Sequence, residues 1–455
     1  MKAFDTEHSA WARFSADERA EMETYAASYR QFLDTARTER LAAKEIIRQA
    51  EDAGFRPLAD YSTIQAGDKV YWNQKGKSVV LAVIGTELLE QGMKIVGSHI
   101  DCPRLDLKAM PILEKNRIVY FKTHYYGGIL KYQWVCMPLS LIGVVYTADG
   151  RQIDISIGED PSDPVLFIND LLPHLGKDQA AKKLSEAISG EMLMPLVGTY
   201  SEEEKTKPAI LSLLLEKYGI SEEDFASAEL EIIPAQKSRE VGLDRSMIMS
   251  HGHDDRVCSY ANLEALLQAK AGKKTQVALF ADKEEIGSVG NTGVHSSYFP
   301  DFVAELLALQ GHTEDLYLRR AMRNSEVLSA DVCAAFDPVF PEAYEESNAA
   351  KLGYGICLCK YTGSRGKAGS NDANAEFLSK IRQVFNGAGV PWQIGELGKV
   401  DQGGGGTIAY IMADWGCDVV DCGVAMHSMH APLEIVAKAD AYSGYLAYKA
   451  FFESK

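Results

Sequence analysis

The chain has 455 residues, with 47 Lys and Arg against 64 Asp and Glu and a formal net charge of −17. Apolar residues make up 46% and charged ones 24%, ample material for a core, which excludes disorder as a description of the whole chain. The acidic balance and the lack of any Lys/Arg-rich run argue against a nucleic-acid partner.

Length predicts two or three domains. The N-terminus passes into a charged helical pattern instead of an apolar signal core. The longest apolar stretch, residues 135–146, is interrupted by Pro138 and Ser140 and falls short of the ~20 residues that span a bilayer, so no membrane partner is expected. The eight cysteines are scattered and mostly in apolar contexts, the pattern of reduced cytoplasmic thiols. Cys357 and Cys359, two apart in a strand-like run, read as core packing.

Residues 8–53 carry a helical period. A β pattern begins near residue 67, at 69–72, 78–84 and 93–97, and continues over 110–157 between Gly-Gly and Asp-Gly turns. Residues 158–230 change character, with Asp-Pro turns and helical stretches at 179–188 and 209–218, before a β-like segment at 228–233. Beyond residue 245, strands at 276–281, 327–330, 354–360, 392–394 and 418–421 alternate with helices at 257–270, 301–309, 373–385, 407–415 and 434–452. That alternation predicts an α/β fold, a mostly parallel mixed sheet flanked by helices.

Four apolar strands run straight into residues that bind metals: His99 and Asp101; Asp282, Glu284 and Glu285; Asp331; and Asp421, followed by His427 and His430. A fifth group, residues 251–256, opens a helix and holds His251, His253, Asp254 and Asp255. Alone, each has a plainer reading: a surface His-x-Asp pair, a solvated Glu-Glu pair, an aspartate capping a turn. Together they sit where open α/β sheets build their ligand sites, at the carboxyl ends of strands. Imidazole and carboxylate donors without clustered cysteine suit zinc, cobalt or manganese in a catalytic site. The donors exceed what one ion needs; two ions sharing a carboxylate would use them and activate a water between them. In Glu284-Glu285, one carboxylate can ligate while its neighbour stays free as general base. On the residues alone, both Asp254 and Asp255, and both His427 and His430, are open as ligands. The run Gly403–Gly406 leads into a helix near Thr407 but lacks the Lys-Ser/Thr of a phosphate loop, so contact with substrate backbone is the expectation, through Gly404 and Gly405.

Residues 96–103, 284–288, 329–331 and 429–430 resemble, in order, the motifs of the aspartyl aminopeptidase and vacuolar aminopeptidase I family of dinuclear zinc aminopeptidases, and the resemblance runs from about residue 25 to the C-terminus. It implies a zinc-exopeptidase-like catalytic domain, residues 1–103 plus 245–455, and an inserted β-rich dimerisation or lid domain at 104–244. It implies Asp254, Glu285 and His430 on one metal ion, and His99, Asp254 and Asp331 on the other. Asp101 then orients His99, Glu284 is the general base, Glu434 fits the same pattern, and His427 is structural. The implied activity is release of N-terminal amino acids from short peptides, using two divalent ions per subunit, zinc first and cobalt or manganese as alternatives. The implied assembly is a tetrahedral dodecamer built from six dimers.

Two departures bear on specificity. Aspartyl-preferring relatives carry a His-x-x-His-Pro pattern where this chain has Ala334 and Asp337 before Pro338, which disfavours acidic substrates. Arg365 and Lys367 lie where the family places a basic specificity residue, which favours them. A neutral or broad first-residue preference is the expectation. In the inserted domain, His174 is offset from the position at which relatives reach a neighbour's active site. The rival readings are a related metal deacylase or carboxypeptidase, which would not need a free α-amine, and a silent metal-binding scaffold.

Overall fold

The run Met93–His99 is a strand buried along its whole length, with parallel neighbours on both sides, Thr275–Ala281 and Glu326–Ser329. Asp418–Gly423 continues the parallel run beside Glu326–Ser329. Continuous apolar strands of this kind arise where helices cover both faces of a sheet. Outward, the pairing becomes antiparallel at Ser78–Val83, Lys69–Gln74 and Ile356–Cys359, while the strands at the two edges pair in parallel. The result is a nine-stranded mixed sheet in a computed structural model that describes residues 7–363 and 366–455.

Side chains leave these strands alternately. Val96, Ala278, Phe280, Leu328 and Val420 enter one core, beneath Ala16–Thr35, Glu39–Asp52, His253–Gln268, Ala375–Ala388 and Lys438–Glu453. Ile95, Val277, Leu279, Val327 and Val419 enter the other, against Tyr298–Leu309, Asp315–Arg323 and Ala409–Asp414. The period of two thus feeds both faces.

The structure differs from the sequence reading at several elements, among them the helix expected over 179–188, which is two single turns, Lys177–Ala180 and Leu184–Ala187. The helix expected over residues 8–53 is broken at Phe14–Ser15, where Ser15 caps a new helix by accepting from the Glu18 amide, and again near Ala36, where Thr38 does so by accepting from the Leu41 amide. The helix expected over 434–452 begins only at Lys438, because Glu434–Ala437 forms a strand, with Ile435 and Val436 paired to Met249 and Ile248. That strand belongs to a second sheet, of five strands.

The chain divides into two compact units. The sheets above lie in the unit formed by Met1–Asp101, Ser238–Met429 and Glu434–Lys455; the other comprises Cys102–Lys237 and His430–Leu433. These divisions fall after Asp101 and after Lys237, where the sequence reading set the insert at 104–244, and the second unit takes in a short segment from near the C-terminus. It holds a seven-stranded sheet in which Ala228–Pro234 pairs with both Arg104–Lys115 and Pro138–Tyr146, closing the sheet into a barrel. Closure pairs edges that would otherwise be exposed. Leu105, Phe121, Trp134, Leu141 and Ile232 fill its core. No described helix is long and apolar enough to cross a membrane.

Candidate metal and catalytic centre

Three adjacent parallel strands deliver the central residues. His99 ends Met93–His99 and pairs with Ala281, the last residue of the strand that leads to Glu284. On the other side Ser329 pairs with Gly97, and Asp331 follows two residues later. Beyond Ala281, Lys283 takes a left-handed conformation, a tight turn covers Glu284–Ile286, and Gly287 closes it with φ +88°. The Asp101 carboxylate accepts from the Glu284 and Glu285 amides at 3.1 and 3.2 Å, which fixes both ends of the turn's acidic pair. Asp254 stands at the start of His253–Gln268, joined to Asp255 by a cis peptide bond. This helix is tied to the His99 strand: the Asn262 amide donates to Val96 O at 2.9 Å and the Ser259 hydroxyl to His99 O at 2.7 Å.

His99 is oriented through one nitrogen. Its Nδ1 lies 3.0 Å from the Asp101 carbonyl and 3.3 Å from Asp101 Oδ1. Its Nε2 lies 3.2 Å from Asp254 Oδ1 and 3.7 Å from Asp331 Oδ1. A proton held on Nδ1 leaves Nε2 as the donor atom toward a cation. Two groups have donor atoms within 4.8 Å of one another: His99, Glu284 and Asp331, and His99, Asp254 and Glu285.

Burial pushes Glu284 up to about 8; Asp331, Asp101 and Asp254 add to the rise, and His99 opposes it. Burial likewise raises Asp255 and Asp331. Burial alone would lower His99, but hydrogen bonds to Asp101, Asp254 and Asp331 outweigh it and hold it well above its usual value. Carboxylates crowded out of water repel one another, and a divalent cation among them offsets both costs. One imidazole with clustered carboxylates is also the donor set zinc takes in catalytic sites. The residues present therefore fit the metal.

The surrounding shell joins residues named from the sequence to three that it did not single out, Tyr29, His295 and Tyr410. The Tyr29 hydroxyl donates to His253 Nδ1 at 2.6 Å, and His253 Nε2 donates to Ile248 O, anchoring the residue before Asp254. The buried Glu434 carboxylate accepts from the Asp254 amide at 3.0 Å. Thr407 donates to Asp421 at 2.6 Å, tying the end of the Gly-rich segment to a central strand. His295 Nε2 meets the Tyr410 hydroxyl at 2.9 Å, and Tyr410 feels the charge of Glu284. Glu434, His253, Asp421 and Thr407 stood in the sequence pattern, whereas Tyr29, His295 and Tyr410 had no local signal.

Gly405 O accepts from the Gly363 amide. Lys367 pairs with Asp372 at 2.9 Å and stacks on the Tyr361 ring, at the edge of a cavity of about 220 Å³ that Glu396, Lys399 and Gly403 also line. Gly404 lies in the same loop, with φ +144°. Arg365 lies outside the described residues. His427 Nε2 donates to Phe336 O at 3.1 Å, and the residue sits on a strand of the five-stranded sheet. His430 belongs to the second unit, where its Nδ1 lies 2.8 Å from Gly128 O. His174 lies in the exposed turn Pro173–Leu175 of that unit.

Gly423 has a steric duty at this centre. A Cβ there would lie 1.5 Å from the Asp331 carbonyl oxygen, and backbone cannot move aside cheaply. Gly423→Ala is expected to displace Asp331, lowering both the unfolding temperature and turnover; a variant with wild-type turnover would contradict the placement.

The sequence profile described as "Aminopeptidase I zinc metalloprotease (M18)" matches residues 32–452. The chain belongs to the M18 family of zinc aminopeptidases. A probable M18 family aminopeptidase 1 of Clostridium acetobutylicum is 48% identical, with 98% of each chain covered. The crystal structure of an M18 aminopeptidase from Thermotoga maritima superimposes with a TM-score of 0.95 at 45% identity, covering 99% of this chain and 100% of that one. The yeast mApe1 dodecamer, at 19% identity and a TM-score of 0.75 over 94% of this chain and 96% of that one, shares the fold. M18 membership makes this chain a metallo-aminopeptidase that hydrolyses peptide bonds, which removes the scaffold and deacylase readings.

Proposed function

We propose that two divalent ions, zinc in the first instance, are held by the strand-end cluster and that Glu284 is the general base of the M18 reaction here. His99, Asp254 and Asp331 would hold one ion, and Asp254, Glu285 and His430 the other. The observation that carries this reading is the division of labour at His99, with Nδ1 tied to Asp101 and Nε2 turned toward Asp254 and Asp331. An imidazole so oriented offers one lone pair to one ion, whereas a carboxylate has two oxygens; this supports Asp254 as the shared ligand. Zinc in such a site supplies Lewis acidity toward water and toward the peptide carbonyl.

The chain's own residues do the rest. Glu284 takes a proton from the attacking water at a carboxylate oxygen and passes it to the leaving amine. Asp101 holds the imidazole of His99 through its carbonyl and carboxylate, and the turn that carries Glu284 through the carboxylate, so one residue sets the distance between ligand and base. Gly404 and Gly405 present backbone to the substrate peptide, and Lys367 borders its first side chain. The barrel unit serves dimerisation, and six dimers assemble as a tetrahedral dodecamer in the cytoplasm; the dodecamer of a yeast protein with this fold supports that reading.

A neutral or broad first-residue preference is tested with Asp-, Leu- and Lys-amides beside their N-acetylated forms. The expected result is similar turnover of Leu- and Asp-amides and none of the acetylated forms. A large preference for Asp-amide would overturn the specificity, and hydrolysis of acetylated substrates the need for a free amine.

Metal uptake should also depend on pH. Raised values at Glu284, Asp331 and His99 mean that the metal-free centre carries extra protons below about pH 8, and an entering cation must displace them. Apparent zinc affinity is therefore expected to rise between about pH 6 and about pH 8. Competition titrations with a chromophoric chelator measure it, and a flat or falling profile would contradict the assignment.

A further inference from the structure

A second cluster of metal-binding side chains lies apart from the histidine–carboxylate donors. Cys333, Cys357 and Cys359 bring three thiol sulfurs within 4.8 Å of one another. Cys333 Sγ is 3.1 Å from Cys359 Sγ, which in turn is 3.7 Å from Cys357 Sγ. All three are buried, at 9%, 0% and 6% exposure. Cys357 and Cys359 stand two apart on Ile356–Cys359 and so share one face of that strand. Cys333 comes from Cys333–Ala334, in the five-stranded sheet, so the cluster joins the two sheets of its unit. Ala335, Ala350 and Ala425 pack around it with Leu352, and a Cβ at Gly395 would come within 2.5 Å of Cys357 Sγ.

Burying three thiols among methyl groups explains packing but not their convergence. A single disulfide would use two sulfurs and strand the third. Three convergent sulfurs with no imidazole or carboxylate in the group are the donor set of soft cations. Zinc in a structural site takes four ligands, whereas this group offers three. We propose that Cys333, Cys357 and Cys359 form a three-coordinate binding site for a thiophilic cation of the cuprous type. The ion enters without changing oxidation state, and the thiols that ligate it release their protons to solvent. Once bound, it ties the strand that follows Asp331 to the nine-stranded sheet.

The test uses the full-length, zinc-loaded, reduced protein, titrated without oxygen with cuprous ion held by a chromophoric chelator. The wild type is expected to take up one equivalent with a thiolate-to-copper charge-transfer band, which histidine and carboxylate donors do not give. Cys333→Ala and Cys359→Ala should each lose the band, while a variant of the exposed Cys136, Cys136→Ala, keeps it. An unchanged band in the first two variants, or no uptake by the wild type, would overturn the proposal. X-ray absorption on the copper-loaded wild type needs no variant to fold. Three sulfur neighbours are expected, and two sulfurs or any nitrogen or oxygen neighbour would overturn the site.

Discussion

Glu284→Gln is expected to keep the metal content of the wild type and to lose about 10²–10⁴-fold in turnover, the usual worth of a positioned general base. The substitution keeps the shape of the side chain and the backbone donors to Asp101, so the turn Glu284–Ile286 has no reason to move. What it removes is a carboxylate able to accept a proton. Burial and three neighbouring carboxylates hold Glu284 at about 8 before any cation binds, so its basicity is set by the same cluster that receives the metal. A cation there lowers that value and keeps the side chain ionised at neutral pH. Turnover and metal content measured on the same preparation decide the matter: loss of both would make Glu284 a ligand, and retention of both would remove it from the chemistry.

The second large effect is expected at His99. His99→Ala removes the imidazole that faces both Asp254 and Asp331, leaving buried carboxylates to repel one another without it. Metal affinity should fall by more than the about 10–100-fold that an orienting partner is worth, and activity should fall with it. Asp101→Ala provides the scale for comparison. Asp101 touches His99 Nδ1 and the acidic turn, so its loss should cost about 10–100-fold in metal affinity while leaving the donor atoms in place. Excess zinc should restore Asp101→Ala in part and His99→Ala hardly at all. Equal rescue of the two variants would contradict the distinction between ligand and orienting residue.

Much of the site was legible because each chemical group sits where an apolar run stops. The strands before His99, Glu284 and Asp331 are continuous hydrophobic segments, and the sheet needs them buried, so their ends must fall together at one edge. What spacing could not supply was contact between distant segments. Closure of the barrel depends on residues 228–234 lying against both 104–115 and 138–146, and strand-like composition does not choose partners. The short strand Glu434–Ala437 carries too few residues to declare a period, and its neighbours in the second sheet decide it. Tyr29 reaches His253 from 224 positions away, and no local motif announces that contact. The thiol cluster was half visible: Cys357 and Cys359 share a strand face, but Cys333 arrives from the other sheet.

The most direct test is to count metal and assay turnover on one preparation through a full cycle: as purified, after chelation, and after zinc, cobalt or manganese is returned. Two ions per chain and hydrolysis of aminoacyl amides are expected at the start, loss of both on chelation, and recovery of both with at least one metal. Asp254→Ala, carried through the same cycle, should recover neither. Hydrolysis that persists in the chelated, metal-free chain, or an Asp254→Ala variant that regains full metal content and turnover, would contradict the account.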